Sequence, residues 1–280
     1  MKELELLSEH ACFGGRQRFY RHASREIGLS MRFGLFLPPE PRALLVYLAG
    51  LTCTEETFAI KAGAQRLAAE LGLALLTPDT SPRGAAVAAV PGSADSWDFG
   101  VGAGFYLDAS QPPWVKHWRM ESYLVDELLP DVQQQFNLSP ERVGIFGHSM
   151  GGHGALTLAL RHPGMFRSVS AFAPICAPLQ CPWGQKAFAG YLGQDHADHD
   201  ASALMLSQIR PPFPAGILID QGLADPFLAT QLMPEAFEAA CRVAGQDLTL
   251  RRHAGYDHGY YFIASFVDDH LRHHAAQLLV

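Results

Sequence analysis

The chain predicts an α/β fold, a mostly parallel central sheet with helices on both faces, on three observations. Short apolar runs such as Ala43–Leu48 alternate with Ala- and Leu-rich helical stretches, the sign of a parallel sheet joined by helical crossovers. That run is continuously apolar instead of alternating, as a strand buried on both faces is. Hydrophobic residues make up 48% and charged residues 18% of 280 positions. That is enough to fill a large core and too apolar for a disordered chain.

Taken in order, residues 18–24 and 31–37 read as strands around Glu26-Ile27-Gly28, with an antiparallel start plausible, before Pro38-Pro39-Glu40-Pro41 breaks the pattern. Strand 43–48 follows, then an Ala-rich helix over 62–71 and a short strand over 74–77 that stops at Pro78-Asp79. Tyr123, Leu124, Leu128, Val132 and Phe136 recur at helical spacing within 120–136. Beyond them come a strand at 142–146, a helix at 151–160, and strands at 169–173 and 216–220. A helix at 233–244, a strand at 248–252 and a final helix at 262–279 complete the pattern. No internal repeat interrupts it, and a single domain over 1–280 is expected. Residues 81–117 stand apart as a long Gly-, Pro- and Trp-rich segment. Loops of that length in compact domains are often binding loops or lids, here an expected active-site loop, the other reading being an ordered surface excursion.

The formal net charge of −7 argues against sequence-independent nucleic-acid binding, which needs basic surface. The five cysteines are Cys12, Cys53, Cys176, Cys181 and Cys241, an odd number without a CxxC pair. No disulfide framework is expected, and a reducing compartment fits. Residues 1–10 carry three glutamates and no apolar stretch of the kind that marks a secretory leader, and no apolar run reaches membrane-span length. The expectation is a soluble cytoplasmic protein with no membrane contact.

Gly147-His148-Ser149-Met150-Gly151 matches the G-x-S-x-G nucleophile elbow, with an apolar strand before it and a small-residue helix after it. The serine must sit on a sharp strand-to-helix turn in a strained conformation, so the flanking positions must let strand and helix approach closely. Such an elbow belongs to the α/β-hydrolase fold, whose acid and then histidine follow the serine in the chain. His258 lies between the last strand and the last helix, where that fold delivers its base. His270, His273 and His274 read instead as a solvated polar face of the last helix, and His148 and His153 as packing beside the elbow. For the acid, Asp225 on the loop is favoured over Asp220 at the strand end, because a loop position can reach across to the base. Asp257, adjacent to His258, would point elsewhere. The oxyanion donors expected are the N–H of Met150, directly after the serine, and that of Leu51, in the loop after strand 43–48.

With these residues on the page, the chain resembles the S-formylglutathione hydrolase (esterase D) family. The resemblance runs through Gly50-Leu51-Thr52-Cys53-Thr54-Glu55-Glu56, Pro78-Asp79-Thr80-Ser81-Pro82-Arg83-Gly84, 96–107, 146–155, 170–176, Cys181-Pro182-Trp183-Gly184, 218–222 and 256–263. It implies the triad Ser149, Asp225 and His258, Leu51 and Met150 as oxyanion donors, no metal or organic cofactor, and a homodimer. The activity it implies is hydrolysis of S-formylglutathione to glutathione and formate, the formaldehyde-detoxification reaction; the alternative is a general short-chain carboxylesterase. Two departures stand out: 85–94 lacks the acidic residues expected there, and Gly259 stands where a serine is expected. Cys53 is a candidate pocket thiol whose alkylation would block substrate without a catalytic role, or else a small buried hydrophobe. Trp97 and Phe99 are candidate pocket walls, with plain packing the other reading. Lys61, Lys116 and Lys186 could meet the carboxylates of glutathione, with solvated surface the plainer reading for each.

Overall fold

The structure is a computed structural model and describes residues 4–193 and 196–280; residues 1–3 of the segment read for a leader lie outside it. The first strands are β1 (Glu5–Cys12), β2 (Gly15–Ala23), β3 (Ser30–Leu37) and β4 (Ala43–Leu48), followed by α1 (Thr57–Lys61), α2 (Gln65–Leu71) and β5 (Leu73–Pro78). The expected helix over 62–71 is therefore shorter, beginning at Gln65. After α3 (Ala85–Ala88) come α4 (Met120–Ser122), a π-helical stretch over Tyr123–Leu128, and α5 (Leu129–Phe136). Next are β6 (Val143–His148), α6 (Met150–Arg161), β7 (Ser168–Phe172), α7 (Pro182–Tyr191) and α8 (Ala201–Leu206). The chain closes with β8 (Ile217–Gly222), α9 (Pro234–Ala244), β9 (Leu248–His253) and α10 (Tyr260–Leu278).

One sheet takes the order β1-β2-β3-β5-β4-β6-β7-β8-β9. The pairings β1–β2, β2–β3 and β3–β5 are antiparallel, and the rest are parallel. The parallel strands β4, β5, β6, β7 and β8 are buried at every residue; β4 reads as an unbroken apolar run for that reason, while β7 and β8 bury polar residues as well, Ser168, Ser170, Asp220 and Gln221. Strand β1 was absent from the expectation for the opposite reason. As an edge strand exposed along nearly its whole length, it carries no hydrophobic period and is held by its ladder to β2.

The order also locates a crevice. From β4 the chain runs to β5 on one side and returns to β6 on the other, so the sheet reverses direction between β4 and β6. In open α/β sheets ligands bind beyond the carboxyl ends of strands at such a reversal. Those ends carry Ala49-Gly50-Leu51 after β4 and Ser149 after β6.

The last helix requires a correction. Instead of a solvated face, His270 and His274 are fully buried and His273 is half-buried. His274 bonds the hydroxyls of Ser168 and Ser170 on β7 at 2.6 and 2.8 Å. His270 reaches Ser170 Oγ at 2.8 Å and Asp220 at 3.3 Å. His273 meets the Val169 carbonyl at 3.1 Å. Three histidines on a helix look solvent-facing by polarity, but the underside of β7 offers them hydroxyl and carbonyl partners, so burial leaves no polar atom stranded.

Candidate active site

Ser149 occupies the turn between β6 and α6 at φ 57°, ψ −119°, a strained conformation for a residue with a side chain. The neighbouring glycines explain why the chain can turn there. A Cβ on Gly151 would lie 1.9 Å from the Leu48 carbonyl oxygen, and one on Gly147 would lie 2.2 Å from that of Gly151. The Ser149 N–H donates to Phe172 O at 3.0 Å, tying the turn to β7. Ser149 heads α6, where free N–H groups and the helix dipole favour negative charge.

Asp225 and His258 arrive on two loops pressed together. Ala224 N donates to Tyr256 O at 2.9 Å and Leu223 N to His253 O at 2.9 Å. A Cβ on Gly222 would sit 2.4 Å from Tyr256 O. From this contact Asp225 Oδ2 meets His258 Nδ1 at 2.5 Å. The Asp225 carboxylate also accepts from Phe227 N at 2.8 Å and Gln221 Nε2 at 3.2 Å, and its side chain is wholly buried. The His258 side chain keeps 16% of its surface open.

His148 links the elbow to this pair. Its ring centroid lies 4.4 Å from that of His258. Burial, and then the neighbouring His258, hold its pKa well below the usual histidine range, so it stays neutral beside that ring. Among the described residues the one hydrogen bond of the His258 ring is to Asp225; none joins it to Ser149 Oγ.

On the opposite rim, Gly50 approaches so closely that a Cβ there would lie 3.2 Å from Ser149 Cβ. Leu51 follows it. The next two N–H groups are occupied, Thr52 by Gly102 O at 2.8 Å and Cys53 by Gly50 O at 3.3 Å. Leu51 thus follows a glycine packed against Ser149, and Met150 follows Ser149 itself. Cys53 is half-buried, and burial raises its thiol pKa above the ordinary value. A protonated thiol is a poor nucleophile, in keeping with a bystander.

The remaining candidates separate. Phe99 stacks on Tyr191 at 4.4 Å and meets Trp114 edge-on at 4.8 Å, a packing role. Trp97 is more than half exposed and meets Trp183 at 5.6 Å. Trp183 contacts Phe227 at 4.7 Å, and Phe227 meets the His258 ring at 5.0 Å. An aromatic path thus runs from His258 to the surface through Phe227 and Trp183, two residues not singled out from the sequence as pocket candidates. Lys186 pairs with Asp98, Lys61 lies 5.7 Å from the Tyr260 ring centroid, and Lys116 is exposed. Asp257 accepts from Gly259 N at 2.8 Å, while the His258 ring bonds Asp225. Among the described residues no group of three or more His, Cys, Asp or Glu side chains is arranged to hold a metal ion, and no helix is long and apolar enough to cross a membrane.

Residues 24–273 match a family described as "Putative esterase". The chain is 49% identical over 284 aligned residues to S-formylglutathione hydrolase of Rattus norvegicus, covering 99% of each. It superposes with a TM-score of 0.93 on the solved structure of an S-formylglutathione hydrolase from Agrobacterium tumefaciens, at 46% identity and covering 98% of this chain and 99% of that one. A fluorophosphonate-binding serine hydrolase of Staphylococcus aureus aligns at TM-score 0.72 and 19% identity over 93% of this chain and 98% of its own, a likeness of fold alone. The chain belongs to this esterase family, with the α/β-hydrolase fold, and within it to the S-formylglutathione hydrolases.

Proposed function

We propose that the chain hydrolyses the thioester S-formylglutathione to glutathione and formate, with Ser149 as nucleophile, His258 as general base and Asp225 as its orienting acid. The observation that carries the roles is the 2.5 Å Asp225–His258 pair beside the strained Ser149 elbow. The names of its relatives in rat and Agrobacterium supply the substrate.

Ser149 Oγ attacks the formyl carbonyl while His258 Nε2 takes its proton. Asp225, itself held by Gln221 and the Phe227 N–H, fixes the other ring nitrogen as donor and stabilises the imidazolium. The developing oxyanion is received by the N–H groups of Leu51 and Met150, each worth about 3 kcal/mol in such sites. His258 returns the proton to the departing sulfur, then draws one from water, which releases formate from the acyl-enzyme. No step calls for a metal or an organic cofactor.

The glutathionyl part, beside the base, lies along the path of Phe227, Trp183 and Trp97 in this reading. Cys53 stands near the oxyanion loop without taking part. We further infer a single α/β domain over 1–280, with 81–117 as an active-site loop. A homodimer and a cytoplasmic location complete the reading.

The test is kcat/KM for S-formylglutathione against S-acetylglutathione and a short p-nitrophenyl ester, with Ser149→Ala as control. A preference for the formyl thioester, abolished in Ser149→Ala, is expected, since one methylene in a tight acyl pocket is worth about 10–200-fold. A flat profile would leave a general short-chain carboxylesterase. Retained turnover in Ser149→Ala would sink the mechanism.

A further inference from the structure

The Leu51 N–H can serve as an oxyanion donor only if the loop after β4 is held to a fraction of an ångström, and the long Cys53 N to Gly50 O bond within the loop, at 3.3 Å, is a weak hold for that. Thr52 sits at φ 68°, a left-handed conformation that a β-branched residue does not adopt without restraint. The restraint comes from the start of the long excursion after β5. Arg83 Nε forks onto both oxygens of Asp79 at 2.9 and 3.0 Å, and its Nη2 donates to the Cys53 carbonyl at 2.9 Å. Thr80 Oγ1 donates to the same carbonyl at 2.6 Å. Thr52 N is held by Gly102 O, and a Cβ on Gly102 would come within 3.1 Å of Thr52 Cα. Ahead of the loop, Tyr106 Oη donates to Ala49 O at 2.8 Å.

Asp79 is buried at the end of β5, and its charge is answered by Arg83. Arg83 therefore joins a rigid strand end to the peptide two residues beyond the proposed donor. It does so with a planar fork that serves two acceptors at once.

We propose that Arg83, seated on Asp79 and seconded by Thr80, is the positioning residue of the oxyanion hole: it sets where the Leu51 N–H points and does not touch substrate. This rests on the oxyanion reading given above. The long excursion then acts as a brace on one half of the hole, while the Met150 half is set by α6 independently.

The experiment compares wild type, Arg83→Met and Thr80→Val, with Ser149→Ala as control, on S-formylglutathione and on a p-nitrophenyl ester that lacks the peptide. In Arg83→Met we expect kcat to fall about 10–100-fold on both substrates, the size of a misplaced but not deleted donor, with KM within threefold. Thr80→Val, which removes the other donor to Cys53 O and leaves the ion pair, shifts the same way by a smaller factor. A trifluoromethyl ketone, which places an oxyanion in the hole, should lose affinity in proportion to kcat/KM, a readout that looser packing alone would not move.

An unchanged kcat in Arg83→Met overturns the proposal. So does a loss confined to KM for S-formylglutathione, which would make Arg83 a substrate contact, or a fallen kcat with undiminished affinity for the ketone. Should Arg83→Met not fold, because Asp79 is left buried without its partner, Thr80→Val is judged by the same criteria. Full turnover in Ser149→Ala would remove the underlying mechanism. A dead Ser149→Ala beside a normal Arg83→Met removes only the brace.

Discussion

Strand β8 leads to two aspartates, Asp220 within it and Asp225 on the loop beyond it, and each holds a histidine of the C-terminal segment. Asp225 meets His258 at 2.5 Å, and that ring keeps one face toward Ser149's neighbour His148 and part of its surface open. Asp220 meets His270 at 3.3 Å, and there both side chains are closed off from solvent. Asp220 is also forked by Arg251, whose Nε lies at 2.6 Å, and those partners hold its carboxyl far below the usual carboxylate range against the opposing effect of burial. His270 is sandwiched against Phe172, with ring centroids 3.8 Å apart. An Asp–His contact is thus common to both places. What differs is a ring left partly open to solvent beside His148 in one, and a permanent counter-charge with no open face in the other.

The comparison breaks most visibly at the acids. Asp225→Asn should lower kcat by about 10⁴, the loss typical when the wrong histidine tautomer is imposed, with little change in melting temperature. Asp220→Asn should leave kcat per folded molecule within about twofold. Steady-state kinetics with active-site titration, set beside thermal melts, check both. Equal losses of activity would erase the distinction.

Arg251→Met should cost about 3 kcal/mol of stability, because it leaves Asp220 as a buried charge short of its main partner. Urea unfolding measures this, and kcat per active site should hold. Ser170→Ala deprives His270 Nδ1 and His274 Nε2 of one shared partner, and about 1–3 kcal/mol should be lost. A neutral result would mean that the two rings repair the network themselves.

The smallest effect sharpens the comparison by pH. Burial lowers the pKa of both His270 and His274. Below pH 6.5 the unfolded chain takes up protons that the folded network refuses, so stability falls as pH drops below 6.5. The slope is at most about 1.4 kcal/mol per pH unit for each ring. His274→Gln should flatten the melting-temperature slope in that window. A slope unchanged in the variant would show that His274 does not carry it.

Legibility followed burial pattern. Strand β4, buried on both faces, announces itself as an apolar run, and the Ser149 turn and the Asp225–His258 contact were readable because the elbow demands a chain order and loop positions for its partners. Strand β1 and the histidines of α10 were not readable: an edge strand has no apolar period, and polarity alone cannot tell a solvated histidine from one bonded to Ser168, Ser170 or Asp220. Gln221, Phe227 and Trp183 lay in or near recognisable segments, but their tie to His258 exists only across loops.

By itself, then, the chain determined which residue types stand at which turns: glycines where β6 and α6 must touch, an aspartate on the loop after β8, a histidine between β9 and α10. These are local requirements of backbone sterics and chain order, and they are written one residue at a time. The tertiary structure alone decided that Asp220 pairs instead with His270 and Arg251, that three polar residues of α10 turn inward, and that Arg83 reaches the Cys53 carbonyl. Each of those depends on contacts between segments far apart in sequence, where a side chain's role is set by the partner that packing brings to it.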